Sequence, residues 1–209
     1  MKLQIAMDLT YQERALAIAD EIHDVIDIYE VGTPLIMKEG CSTIRFLKEK
    51  YPKMCVLADS KIVDGGAIEA KDLCEAGADI VTVLALADNS TVTEVVETAH
   101  AYKRKVLADL ICVKDIPARS LELKQLGVDY IGVHTGVDMQ KEGRTPLKDL
   151  KELVSCIPNQ MCAVAGGVKL ETLDDYVALN PEIIIAGSAL YAKEDVRKAV
   201  LEMKEHLTK

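Results

Sequence analysis

Two carboxylates and an ammonium crowd into Asp59-Ser60-Lys61-Ile62-Val63-Asp64, directly after the apolar run Met54-Cys55-Val56-Leu57-Ala58. Charges at the mouth of a buried strand are costly unless they pair or bind something. If the strand persists, side chains alternate with period two, so Asp59 and Lys61 share one side. Asp64 falls just beyond, where a helix would begin. The layout is that of a site, not of a core.

The same pattern recurs along the chain. Short apolar runs at Leu3–Met7, Val25–Val31, Met54–Ala58, Ile80–Leu84, Val106–Leu110, Tyr130–Val133, Met161–Ala165 and Ile183–Ala186 stand about 20 to 30 residues apart, the repeat of a βα unit. Read in order, their ends carry Asp8, Glu30, Asp59 with Lys61, Asp109, His134, Gly166-Gly167 and Gly187-Ser188. Ionisable residues placed at random would scatter through loops and helix faces; here they gather at strand ends.

Helical segments are expected between the runs, at Tyr11–His23, Cys41–Lys50, Ala67–Ala76, Val92–Tyr102, Ser120–Leu126, Leu170–Ala178 and Lys193–Leu207. Asp88-Asn89-Ser90 and Asp115-Ile116-Pro117 are start signals. Gly77 and Gly127 are stop signals, and Tyr51-Pro52 forbids continuation of the second helix. Eight strands alternating with helices imply a parallel sheet covered by helices, and a single (β/α)8 TIM barrel over residues 1–209 is the natural closure. The rival is an open doubly wound sheet. It is weakened by the lack of a Gly-x-Gly-x-x-Gly after the first strand.

In such a barrel chemistry gathers at the C-terminal strand ends. Glycines after strands seven and eight let backbone N–H groups approach an anion, so Gly166, Gly167, Gly187 and Ser188 are candidates for holding a phosphate. The alternative is that they only permit tight turns. Glu30 and Asp59 make a divalent-metal pair of the kind magnesium takes, unless one acid pairs with Lys61 and the other caps a loop. Lys61 would hold the carboxylates together or polarise a substrate oxygen. Asp64 before Gly65-Gly66 reads equally as a helix N-cap and as a functional acid. His134 ends a strand on the acid-rich rim with a pKa range suited to proton transfer. Asp109 is either a site member or an acceptor for Lys61. Arg144 sits in a loop, where it is solvated or closes over an anion. His23, His100 and His206 fall in helical segments as surface residues.

Bulk properties set limits. With 209 residues, 49% hydrophobic and 28% charged, the chain has the composition of an ordinary globular domain with a substantial core. A net charge of −9 argues against a nucleic-acid binder. No stretch is long and apolar enough to span a bilayer. The opening Met1–Asp8 reaches an acid too soon for a signal peptide, so a cytoplasmic location is expected. Six scattered cysteines without a CxxC pair indicate neither a disulfide framework nor a zinc cluster. Cys55, Cys112 and Cys162 lie in or beside apolar runs as small hydrophobes.

The Asp-x-Lys-x-x-Asp spacing of residues 59, 61 and 64, with Asp8 ending strand one and Glu30 in Tyr29-Glu30-Val31-Gly32, resembles the metal-dependent branch of the orotidine 5'-phosphate decarboxylase suprafamily over essentially the whole chain. The resemblance implies that Glu30 and Asp59 hold Mg2+, with Mn2+ as the alternative ion. Asp8 and Lys61 would belong to the substrate and charge network. Asp64 would reach into the neighbouring subunit's site, making a homodimer with active sites at its interface. Decarboxylating members carry an arginine three positions after the strand-six histidine, where this chain has Val137. His134-Thr135-Gly136-x-Asp138 and Asp64-Gly65-Gly66 are similar to the aldol-condensing members. The implied activity joins ribulose 5-phosphate, a small-molecule sugar phosphate, to formaldehyde through an enediolate. Decarboxylation of a β-keto sugar-acid phosphate is the alternative, and a non-catalytic sugar-phosphate binder a third reading.

Overall fold

A computed structural model describes residues 1–207; Thr208 and Lys209, the end of the expected domain, lie outside the described residues. Strand β1 (Lys2–Met7) leads to helix α1 (Gln12–Ile22), and β2 (Ile28–Val31) to α2 (Thr33–Glu39) and α3 (Ser42–Lys50). Then come β3 (Val56–Ile62), α4 (Gly66–Glu75), β4 (Ile80–Leu84), α5 (Asn89–Ala101), β5 (Lys105–Asp109) and α6 (Ile116–Gln125). Strand β6 (Tyr130–His134) precedes α7 (Val137–Lys141) and α8 (Leu147–Cys156). The chain continues with β7 (Cys162–Ala165), α9 (Leu173–Val177), β8 (Ile183–Ala186), α10 (Ser188–Tyr191) and α11 (Val196–Leu207). All eight strands pair in parallel and in sequence order, and β1 closes on β8. The expected (β/α)8 barrel is the fold.

Local chemistry explains the frame. Helix α1 buries Ala15, Ile18, Ala19 and Ile22, an i, i+3, i+4, i+7 stripe turned to the core. Helix α6 starts where Asp115 accepts a hydrogen bond from the Ala118 N–H at 3.1 Å and proline occupies the first turn. After α4, Gly77 takes a left-handed φ of 102° while the Ala78 N–H reaches back to the Leu73 carbonyl at 3.1 Å, which satisfies a terminal carbonyl before the chain enters β4.

Inside the barrel, alternation sorts side chains by height. Ile28, Leu57, Ile80, Leu107, Tyr130, Ala163, Ile183 and Ile185 form an apolar plug distinct from the larger shell between sheet and helices. Two residues further along the same strands stand Glu30, Asp59, Thr82, Asp109, Gly132 and Ala165. The plug is the floor on which the polar groups rest.

The structure departs from expectation in several elements. β3 does not end at Ala58 but runs to Ile62, with a register shift against β4 between those residues. Thr82 makes this feasible: its hydroxyl accepts from the Lys61 N–H at 2.8 Å, and its carbonyl accepts from the Ser60 hydroxyl at 3.0 Å. Polar residues thus keep the strand going after the apolar run stops. β2 starts only at Ile28, because the Val25 and Ile26 N–H groups bond to the Ile22 carbonyl in a turn. Helices α2, α7, α8 and α10 add to those expected, and Leu170–Ala178 is a 3-10 turn followed by the short α9. Asp64 is no N-cap: Gly65 occupies that position, and the Asp64 carboxylate accepts from the Gly65 N–H at 2.8 Å. All six cysteines are free, but Cys112 is exposed at φ 64° and is no core hydrophobe. Burial pushes the Cys55 thiol up to about 11 and that of Cys162 to about 12, so neither is an activated nucleophile. No helix among the described residues is long and apolar enough to cross a membrane.

Leu57 is fully buried in the plug directly beneath the polar layer. Leu57→Ala is expected to lower the unfolding free energy by about 2–5 kcal/mol in denaturant titration. A loss under ~1 kcal/mol would show that the plug does not support the floor of the site.

Candidate active site

Above the plug the barrel opens into a cavity of about 1290 Å3. Its walls include Asp8, Glu30, Asp59, Lys61, Asp109 and His134, together with Gly166, Gly167, Gly187 and Ser188. Every residue singled out in the sequence lies here except Asp64, which is exposed on the loop between β3 and α4 and does not line the cavity of its own chain.

Carboxyl oxygens of Asp8, Glu30 and Asp59 lie within 4.8 Å of one another. Neighbouring strands bring them together: Ala6 pairs with Glu30, and Glu30 with Leu57. Asp8 packs against Gly32, where a Cβ would sit 2.5 Å from its carboxylate oxygen, so only glycine admits the acid. Asp59 is buried and fully engaged. Its Oδ2 accepts from the Thr33 hydroxyl at 2.8 Å and from Lys61 Nζ, and its Oδ1 from the Thr82 hydroxyl at 3.0 Å. Glu30 is also buried and accepts from the Gln4 amide at 2.5 Å, while Gln4 Oε1 finds no donor among the described residues. Burial, then the charges of Asp59 and Asp8, raise the Glu30 pKa well above the usual carboxylate range. The protein wall around Asp8, with Asp59 beside it, raises that acid too, although its residue stays open to solvent at the mouth.

Lys61 joins this cluster to the opposite wall. Its ammonium pairs with Asp59 and lies 3.5 Å from Asp109. Burial opposes its charge, but Asp59 and Asp109 more than compensate and raise its pKa. Asp109 bridges onward: its Oδ2 is 2.9 Å from His134 Nδ1, and its Oδ1 accepts from the Ile111 N–H at 2.9 Å. The sequence left Asp109 undecided between site member and acceptor for Lys61; it lines the cavity and faces the Lys61 ammonium as well. For His134, burial lowers the pKa, yet the Asp109 hydrogen bond and charge outweigh it and raise it above 6.5. With Nδ1 held, Nε2 is the ring nitrogen without a partner among the described residues.

On the other side, Gly166 has φ 108°, and a Cβ there would lie 2.4 Å from the Thr135 carbonyl. Any side chain would push strands β6 and β7 apart. Gly167 follows at φ 74° against the Gln140 side chain. Arg144 pairs with Asp149 at 3.0 Å at the edge of the cavity instead of being solvated alone. Sequence reading passed over Gln4, Thr33 and Thr82. Gln4 and Thr82 carried a signal: each is a polar residue inside an otherwise apolar run.

A parallel barrel with carboxylates, a lysine and a histidine at its C-terminal rim has the layout of a barrel enzyme, and sequence comparison gives its family. The profile of the orotidine 5'-phosphate decarboxylase / HUMPS family matches residues 1–203. The chain belongs to that family. It is 40% identical over 205 residues, covering 98% of both sequences, to 3-hexulose-6-phosphate synthase of Bacillus subtilis strain 168. The crystal structure of 3-hexulose-6-phosphate synthase from Salmonella typhimurium superposes with a TM-score of 0.96 at 41% identity, covering 100% of this chain and 99% of that one. A 3-keto-L-gulonate-6-phosphate decarboxylase from Vibrio cholerae superposes with a TM-score of 0.86 at 25% identity, covering 99% and 97%.

The Asp109–His134 pair makes a pH-dependent contribution of definite sign. The raised His134 pKa adds stability that is complete below its ordinary 6.5 and is lost as pH rises through the folded value. The lowered Asp109 pKa, in which burial is outweighed by His134 and Lys61, adds stability present above its ordinary 3.8 and lost as pH falls through the folded value. An NMR titration of the metal-free protein should put His134 above 6.5, and Asp109→Asn should drop it, since burial is then less opposed. A wild-type value at or below the ordinary one would refute the assignment.

Proposed function

We propose that this protein is a divalent-cation-dependent aldol lyase condensing ribulose 5-phosphate with formaldehyde to a hex-3-ulose 6-phosphate. What supports this reading is one arrangement, the Asp8–Glu30–Asp59 cluster joined through Lys61 and Asp109 to His134, in a chain 40% identical over its length to a named synthase of that sugar. Three carboxyl groups against one ammonium, two of them with raised pKa values, form an all-oxygen donor set that suits a hard cation. Glu30 and Asp59 would hold Mg2+, or Mn2+ in its place, with Asp8 beside them. When bound, the ion supplies Lewis-acid polarisation of the ketose carbonyl.

The chain's own residues do the rest. Backbone N–H groups at Gly166, Gly167, Gly187 and Ser188 receive the phosphate and set the sugar's orientation. His134 Nε2 takes the proton from the carbon beside the carbonyl, while Asp109 steadies the imidazolium that forms. Lys61, kept protonated, lies against the oxygen on which charge develops. The carbanion attacks formaldehyde, a carbon–carbon bond forms, and the imidazolium returns its proton to the new alkoxide. A protonated lysine is no amine nucleophile, so this route has no Schiff base. Val137, where decarboxylating members carry arginine, favours condensation over loss of carbon dioxide.

Formaldehyde should disappear only in the presence of ribulose 5-phosphate, and a chelator should abolish the reaction. Borohydride added during turnover should trap no covalent adduct. Carbon dioxide released from a β-keto sugar-acid phosphate as the dominant activity would reverse the choice, and an adduct on Lys61 would overturn the scheme.

The second part of the proposal is a cytoplasmic homodimer with shared sites. Asp64 stands outside its own cavity, and the nearby loops and helix leave Val63, Ile68 and Leu86 more than half exposed. Asp64→Ala and Glu30→Gln should each be nearly inactive, and mixing the two after dissociation should restore turnover, because one site of the mixed dimer is intact. A mixture as inactive as its components would exclude sharing.

A further inference from the structure

The barrel has a second cavity, at the rim opposite the acids. It measures about 380 Å3 and is framed by residues at the starts of strands, among them Lys2, Ile28, Ile80, Lys105 and Tyr130. In a chain of net charge −9, six of its lining side chains are cationic: Lys2, Lys48, Lys53, Lys103, Arg104 and Lys105. Only two are acidic, and both are occupied. Asp79 binds Lys48 at 2.7 Å and Arg104 at 2.5 Å, and Asp27 binds Lys204 at 2.7 Å. Lys2 is taken by Glu182 at 2.8 Å. No carboxylate among the described residues pairs with Lys53, Lys103 or Lys105.

Two independent features show that this charge is built in. Tyr130 is 5% exposed, and its hydroxyl accepts from Lys105 at 2.9 Å and from Lys2 at 3.4 Å. Its own proton therefore has no acceptor among the described residues, although a buried donor calls for one. Lys103 takes a left-handed φ of 58° in the turn after α5, where the Arg104 N–H bonds to the Ala99 carbonyl at 2.8 Å. The same turn after α4 and α6 uses Gly77 and Gly127, at φ 102° and 88°. A side chain in this conformation is strained, so glycine is the undemanding choice, yet the chain carries lysine here and directs it to the cavity.

We propose that this cavity binds a small anion carrying two phosphoryl groups. Three ammoniums without carboxylate partners, and a phenol donor between two lysines, match the charge and acceptors of a diphosphate better than those of a single phosphate. The volume of about 380 Å3 lies at the small end of ligand cavities, about 300–1,000 Å3, a size that suits a small anion. The apolar plug separates this site from the catalytic cavity.

Calorimetry of the metal-free protein with inorganic pyrophosphate at low ionic strength tests it. The Lys103→Gly/Lys105→Met double variant should lose one saturable site per chain relative to wild type and keep formaldehyde-dependent turnover. Any pyrophosphate held at the catalytic end survives in the variant, so failure of the catalytic reading leaves this comparison intact. Inorganic phosphate should bind at least tenfold more weakly than pyrophosphate. Lys103→Gly alone should raise the ligand-free Tm while reducing the Tm gain from pyrophosphate; a lysine kept for packing would lower the ligand-free Tm. Equal stoichiometry in wild type and double variant, binding without saturation, or phosphate binding as tightly as pyrophosphate would overturn the proposal.

Discussion

Three carboxyl groups from three neighbouring strands, held within 4.8 Å of one another above an apolar floor, repel one another and must be met by positive charge. Lys61 meets part of that demand, and what it leaves unmet raises the pKa values of Glu30 and Asp8 beyond what their burial does. The surroundings are arranged to keep the acids in place despite the repulsion. Thr33 and Thr82 saturate Asp59, Gln4 holds Glu30, and Gly32 leaves room for Asp8. Such preorganised, incompletely neutralised negative charge is a liability for stability, and in the proposed function it is what a hard cation would offset.

A single ionic chain carries this field across the barrel, from Asp59 through Lys61 and Asp109 to His134. Each member perturbs the next, so His134 and the acid cluster are electrostatically one unit. In the proposed reaction this ties the protonation of His134 to the charge held by Lys61. In the proposed reading the same constellation would also serve decarboxylation through the same enediolate, and the residue at position 137 would choose what quenches it.

Strand alternation polarises the interior from end to end. Strand β5 shows it in one line, Lys105 below, Leu107 in the plug and Asp109 above; on β6 Tyr130 belongs to the plug and also lines the lower cavity, and Gly132 and His134 stand above. Inward residues of this closed parallel sheet stand at one rim, at the other or in the plug between; acids predominate with a histidine at one rim and lysines at the other. The apolar plug between them keeps opposite charges from pairing through the barrel, so each rim has to satisfy its charge locally or with a ligand.

The eightfold repeat of apolar runs and the ionisable residues at their ends were legible in the sequence, because burial on both faces of a parallel strand demands continuous apolar stretches and the active rim demands polar residues where they stop. Asp8, Glu30, Asp59, Lys61 and His134 could be named on that basis alone. The continuation of β3 through its polar residues could not, since it depends on the Thr82 side chain of the next strand. Nor could the double role of Asp109, which exists only because barrel closure sets β5 between Lys61 and His134. The basic rim was hidden for a similar reason: Lys2, Lys53 and the Lys103–Lys105 pair lie far apart along the chain. Periodicity and residue type determine which way a side chain faces; which charges then confront one another is decided by strand neighbours distant in sequence, and only the closed barrel supplies them.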